Sequence, residues 1–196
     1  MKKLFICISI ICNTSLASEM TGFGANYYDD DTDNSNFTLN KETTRKISPD
    51  IVVGDNLFMM AFNTLDELAK SVNTPVNYGE HASWICLTKN SLNHWFISGN
   101  ETDGGYLNAI AMANDGRQTG CIPYKGNISI SIKNTPSLSE FYRSLPTYID
   151  KNNIGNYKAI SFCNRKPGDY TQLHCLKYYV DKGKVRGTLL MQKTTS

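Results

Sequence analysis

Four cysteines, Cys86, Cys121, Cys163 and Cys175, restrict the fold of this chain more than any other feature. They remain from six once the N-terminus is read as a secretory leader. Met1-Lys2-Lys3 precede an apolar block from Leu4 to Cys12, and Ser15-Leu16-Ala17 supplies a small-x-Ala ending. That order of basic, apolar and small residues is the pattern of a signal peptide. The apolar run is too short for a bilayer, which needs about 20 residues. Cys7 and Cys12 each follow a bulky Ile, which argues against lipid attachment. Cleavage after Ala17 removes both, and an even set of four in an oxidising compartment predicts two disulfides. Of three connectivities, the local pairing is expected: Cys86 with Cys121 and Cys163 with Cys175.

Without residues 1–17, 179 of the 196 residues remain, enough for one domain with a core of its own. Lys2 and Lys3 leave with the leader, so 20 basic residues become 18, balancing 18 acidic ones. The balance is uneven along the chain. Ser18 to Asn40 holds five acidic residues and no basic one, whereas Phe141 to Ser196 holds ten basic and three acidic. A solvated lysine-rich sheet face accounts for the basic half without an anionic partner. Secretion argues against nucleic acid as a partner and, with no long apolar run, against an integral membrane protein.

Residues 18–46 read as an acidic flexible arm, poor in aliphatic side chains. Within it, Asp31, Asp33 and Ser35 stand at positions 1, 3 and 5 of a twelve-residue stretch that ends in Glu42. Those spacings suit an EF-hand-type calcium loop. Thr38 replaces the usual apolar residue and neither flank reads as helix, so a solvated acidic linker is preferred. Calcium, through Asp31, Asp33, Ser35 and Glu42, is the alternative; no other cofactor is implied.

Residues 47–196 are expected to form a single disulfide-stabilised α+β domain. It is an antiparallel β-rich fold with one or two amphipathic helices and a C-terminal three-stranded meander. Ile51-Val52-Val53, Gly54-Asp55-Asn56 and Leu57 to Phe62 fit a hairpin, although Phe58, Ala61, Phe62, Leu65, Ala69 and Val72 also fit a helical period. Thr64 and Glu67 form a capping box, so Leu65 to Val72 is the firmer helix. Met59 and Met60 read as core filler. Ala82 to Leu87 and His94 to Ile97 are strands flanking a turn. Tyr106 to Ala113 is ambiguous between helix and strand. Ile128, Ile130 and Ile132 alternate with Ser129 and Ser131, as a half-buried strand does.

A second capping box, Ser137 with Glu140, starts a helix carrying Leu138, Phe141, Tyr142 and Leu145, which Pro146 ends or kinks. Tyr157 to Cys163, Leu173 to Val180 and Val185 to Gln192 make the meander, with a hairpin turn at Asp181 to Lys184. Capped helix, cysteine-bearing strand and returning strand thus occur twice. Duplicated halves, 47–133 and 134–196, would explain the recurrence, though helix-then-hairpin is common in α+β folds.

Catalytic signatures are lacking: no Gly-x-Ser-x-Gly, no phosphate-binding glycine loop, no His-Glu-x-x-His and no Cys-x-x-Cys. Three dispersed histidines, His81, His94 and His174, make no metal motif. A secreted hydrolase would need Glu80, His81, Glu101 and Asp103 to converge. The aromatic content is more telling. Eleven tyrosines with Trp84 and Trp95 suggest a recognition surface, because Tyr and Trp combine a flat apolar body with a polar tip. The expected binding residues are Trp84, Trp95, Tyr178 and Tyr179 with Lys177, Lys182, Lys184 and Arg186. Catalytic residues are not assigned.

The leader and the Asn- and Ile-rich composition point to a secreted or periplasmic bacterial protein. It is expected to bind a protein partner without catalysis, as an adhesion, pilus-associated or colonisation (virulence) factor would. A periplasmic inhibitor or immunity protein is the first alternative, with Asn100–Gly105 or Arg165–Thr171 as its protruding loop. The hydrolase is the second.

Overall fold

Asn90 and Ser91 both adopt positive φ, 51° and 62°. Two such residues in succession give the type I′ turn whose twist suits a tight hairpin. They join β5 (Ala82–Lys89) to β6 (Leu92–Gly99), whose eight register pairs run from Ala82↔Gly99 to Lys89↔Leu92. The computed structural model around this hairpin describes residues 38–42, 47–79, 82–100, 104–113, 120–132, 159–166, 171–181 and 184–195.

The remaining N-terminal elements are β1 (Thr38–Glu42), β2 (Pro49–Val53), β3 (Asn56–Phe58), α1 (Leu65–Val72) and β4 (Asn77–Tyr78). After the central hairpin come β7 (Ala109–Ala113), β8 (Ile122–Pro123) and β9 (Ile128–Ile132). The chain closes with β10 (Ala159–Lys166), β11 (Thr171–Asp181) and β12 (Lys184–Thr195). Nine strands form one sheet in the order β1-β10-β11-β12-β7-β6-β5-β4, with β8 also on β5, and β3-β2-β9 form a second. Pairing is antiparallel except for β1 with β10 and β5 with β8.

The large sheet is buried on both faces near its centre, so β5 and β6 are buried almost without a break, the polar Ser83, Asn93, His94 and Ser98 included. Strand alternation separates the two faces. Ile85, Phe96, Ile110, Leu190, Leu176 and Phe162 are register neighbours across six strands and form one continuous row on the inner face. They share a core with Ile51, Val53 and Phe58 of the small sheet and with Leu65 and Leu68 of α1. The other face carries Trp84, Cys86, Trp95, Ile97, Leu189 and the small residues Ala109, Ala111 and Ala113. Trp95 lies between Cys86 and Ala111 in register, so a large ring stands between two small neighbours.

α1 touches β2, β5 and β6, which joins the two sheets. Its start follows the expected capping box. The Glu67 amide donates to the Thr64 hydroxyl at 3.3 Å, and the Thr64 amide donates to the Glu67 carboxylate at 3.1 Å. Hydrogen bonds from the Asn63 side chain and the Thr64 backbone hold the Glu67 carboxyl below its ordinary pKa. Thr64→Ala is expected to lower global stability by about 1 kcal/mol, read as a fall in the urea midpoint at unchanged slope.

Both expected disulfides are formed, Cys86–Cys121 and Cys163–Cys175. The antiparallel β-rich fold and the three-stranded meander β10-β11-β12 are likewise present. One helix lies among the described residues; the second, from Ser137, falls outside them, as does the comparison between halves that it supports. Two open readings are decided, the first in favour of the β2–β3 hairpin, and one local expectation changes. Phe58 to Asn63 are not helical, because Thr64 is the N-cap and the helix can only begin after it. Tyr106 to Ala113 resolves as strand β7 from Ala109. Within the span read as an acidic arm, Thr38–Glu42 forms β1, drawn into the sheet by parallel pairing with β10.

Candidate functional site

β3 and the segment joining it to α1 carry three of the seven large apolar side chains exposed among the described residues; Tyr78 at 64 %, Ile122 and Val185 lie elsewhere. Leu57 is 63 % exposed, Met59 50 %, Phe62 72 % and, on a neighbouring segment, Tyr106 46 %. The reason for this exposure is local. In β3, Phe58 points into the core and alternation turns Leu57 outward. Phe62 precedes the N-cap and so escapes the buried stripe of α1. Thr64 and Tyr106 form a bridge that brings the second segment alongside.

This loop is fixed by its own polar groups. The Ala61 amide donates to the Leu107 carbonyl at 2.7 Å, and the Leu107 amide returns to the Asn63 carbonyl at 2.8 Å. The Asn63 side chain accepts from the Met59 amide and donates to the Glu67 carboxylate, both at 2.9 Å. Leu65 donates to the Gly105 carbonyl. Ala61 holds φ at +62°, a left-handed conformation that costs a non-glycine residue roughly 1–2 kcal/mol. A rigid loop loses little entropy on binding. Asp55 just before it, and Asp66 and Glu67 just after it, are exposed carboxylates, and Lys70 follows one turn along α1. The arrangement therefore offers an apolar knob with a mainly acidic border.

The expected binding residues are placed differently. Trp84 and Trp95 are only 5 % and 2 % exposed and belong to the core of the outer face. β5 and β6 are buried along both faces, so their indoles are enclosed and not presented to a partner. Lys177 is also buried, and Tyr178, next to it on β11, points to the opposite face. Tyr178 packs edge-on against Phe162 with ring centroids 6.3 Å apart, and burial raises its phenol pKa. Lys177 and Tyr178 thus do not share a surface. The side chains of Tyr179, Lys184 and Arg186, and all of Lys182, lie outside the described residues.

Asp31, Asp33 and Ser35 also lie outside them. Glu42 ends strand β1, so positions 8 to 12 of the candidate calcium loop run as strand where an EF-hand turns into its exiting helix. No group of three or more potential metal ligands occurs among the described residues. Glu80, His81, Glu101 and Asp103 fall outside them too, although the strand ends nearest to them, Ala82 and Gly99, are register partners. Among the candidate loops, Gly105 meets the start of α1, whereas residues 167–170 are not described.

Of the histidines, His94 is buried on the inner face between Leu87 and Met112. Its Nδ1 has no hydrogen-bond partner. Burial holds its pKa below the ordinary 6.5, and the charge of Lys89 acts the same way, against opposing backbone hydrogen bonds at Leu87 and Leu92. Above 6.5 the imidazole is neutral whether folded or unfolded, and stability is full. As pH falls below that value the unfolded chain takes up a proton that the folded chain resists, so stability declines toward the folded pKa. Urea midpoints measured from about pH 7 to about pH 5 should fall in the native protein and fall less in His94→Leu.

Sequence reasoning missed Leu57, Phe62 and Tyr106. A usable signal existed: Asn63-Thr64 places the helix start after Phe62, which removes that ring from the helical stripe. No helix among the described residues is long and apolar enough to cross a membrane. Compared with protein families, curated proteins and solved structures, the chain matches none.

Proposed function

We propose that this is a secreted or periplasmic bacterial protein that acts by binding another protein, without catalysis, in adhesion or colonisation. The observation that carries the proposal is the rigid apolar loop formed by Leu57, Met59 and Phe62 beside Tyr106. Large apolar and aromatic side chains held outward on a fixed backbone have the character of interface hot spots. The acidic border favours a partner whose pocket is apolar within and basic at its rim. Two disulfides accord with an oxidising compartment.

Affinity capture with the oxidised protein lacking residues 1–17, read by mass spectrometry against Phe62→Asp, tests this reading. Once the partner is in hand, Phe62→Ala should weaken its binding by about tenfold or more, with the fold unchanged. Capture of the same proteins by wild type and Phe62→Asp would sink the proposal. The rigidity of the loop also favours the inhibitor reading, since inhibitors bind through pre-formed loops. In that case the captured partner is an enzyme, and the protein abolishes its activity at one-to-one stoichiometry.

A further inference from the structure

The two disulfides have different surroundings. Cys86 is buried, and the bridge to Cys121 spans 35 positions. Cys163 and Cys175 stand directly opposite each other on β10 and β11, with a sequence separation of 12. Those strands share eight register pairs, from Ala159↔Tyr179 to Lys166↔Gln172. The ladder holds them together whether or not the sulfurs are joined.

Two polar groups flank the second bridge on the same face of the sheet. The Ser161 hydroxyl lies 3.4 Å from Cys163 Sγ. Lys177 is the register partner of Ser161 and follows Cys175 by two positions, a strand spacing of roughly 7 Å. Both are buried, as is Cys175, whereas Cys163 is half-buried and is the more exposed residue of the bridge. A hydroxyl donating to sulfur, with a positive charge two positions along the same strand face, favours thiolate over thiol. A stabilised thiolate is also the better leaving group in exchange. Among the described residues beside Cys86 on that face, Trp84, Thr88 and Trp95, there is no cation, and the Thr88 hydroxyl is bonded to Asn93 instead.

We propose that Cys163–Cys175 is a thiol–disulfide exchange site that accepts two electrons from a dithiol while the fold stays intact, and that Cys86–Cys121 is structural. An entering thiolate attacks Cys163 Sγ, the Cys163–Cys175 bond breaks, and Cys175 leaves as a thiolate near the Lys177 ammonium. The second thiol of the reductant, deprotonated, then attacks its own sulfur in the mixed disulfide. This closes the reductant's disulfide and releases Cys163 as a thiolate that accepts the Ser161 O–H. The dithiol loses two electrons and two protons; the protein gains the electrons, and the protons pass to solvent or to the two cysteines.

The test uses the full oxidised protein in dithiothreitol buffers of graded ratio, with alkylation and peptide mass spectrometry on each cysteine pair and circular dichroism in parallel. Cys163 and Cys175 should become labelled at least about tenfold faster than Cys86 and Cys121, with the β-sheet signal retained. Ser161→Ala and Lys177→Met should each slow reduction of that pair by several-fold and leave the Cys86–Cys121 rate unchanged. Ser161→Ala keeps the test open if Lys177→Met does not fold. Reduction of both pairs together with loss of the sheet signal, or an unchanged rate in Ser161→Ala, would overturn the proposal.

Discussion

Phe96→Ala should cost about 3–5 kcal/mol, the range for truncating a fully buried aromatic side chain. Phe96 has no exposed surface and occupies the inner face between Ile85 and Ile110. Its neighbours belong to β5 and β7, and its core also includes residues of the small sheet and α1. Collapse of the cavity would require those elements to move together, so little of the lost packing can be recovered. Domains have about 5–15 kcal/mol of stability, so the variant is expected to unfold at much lower urea, or to be recovered poorly. The same substitution at Phe62 should change stability by no more than about 0.5 kcal/mol. Equal losses at the two positions would contradict the assignment of one ring to the core and the other to the surface.

Replacing Cys86 and Cys121 together by alanine should cost about 4 kcal/mol, and replacing Cys163 and Cys175 about 3 kcal/mol, from loop-closure entropy at separations of 35 and 12. The larger difference is local. The segment after Cys121 is attached to the sheet by two register pairs, Leu87↔Ile122 and Thr88↔Pro123, by the Tyr124 amide on the Thr88 carbonyl and by Lys89 Nζ on the Gly126 carbonyl at 2.7 Å. Without the bridge, residues 120–126 should lose most of their protection from amide exchange. In the other variant β10 and β11 should keep theirs. Hydrogen exchange read by mass spectrometry separates the two outcomes. Protection lost equally from both regions would mean that the β10–β11 ladder does not stand without its bridge.

Local chemistry made several elements legible. Thr64 and Glu67 mark a helix start because a hydroxyl and a carboxylate satisfy amides that no earlier turn can reach. The Ile128-Ser129-Ile130-Ser131-Ile132 alternation matches the half-buried burial of β9. Parity and proximity of the cysteines led to the bridges that form. Each of these signals acts over a few residues or a single loop. The candidate site was less legible. Phe62 fits a helical period as well as Phe58 does, yet both precede the cap at Thr64; β3 turns Phe58 into the core, and Phe62 is left in the loop that follows. The aromatic count likewise could not separate Trp95, buried opposite Ala111, from an exposed recognition residue.

By itself, then, the sequence determined the class of the domain, the turns and cap that bound its elements, and the even set of four cysteines, whose pairing the structure decided. Tertiary structure alone decided that β12 joins β7, which merges the meander with the central hairpin into one sheet. It also decided that β1 enters that sheet parallel to β10, and that Met59 and Phe62 stay exposed while Met60 between them is buried. The physical reason is common to all three. Strand partners and burial depend on which faces meet across long separations, and the order of residues within one segment does not encode which distant face will cover it.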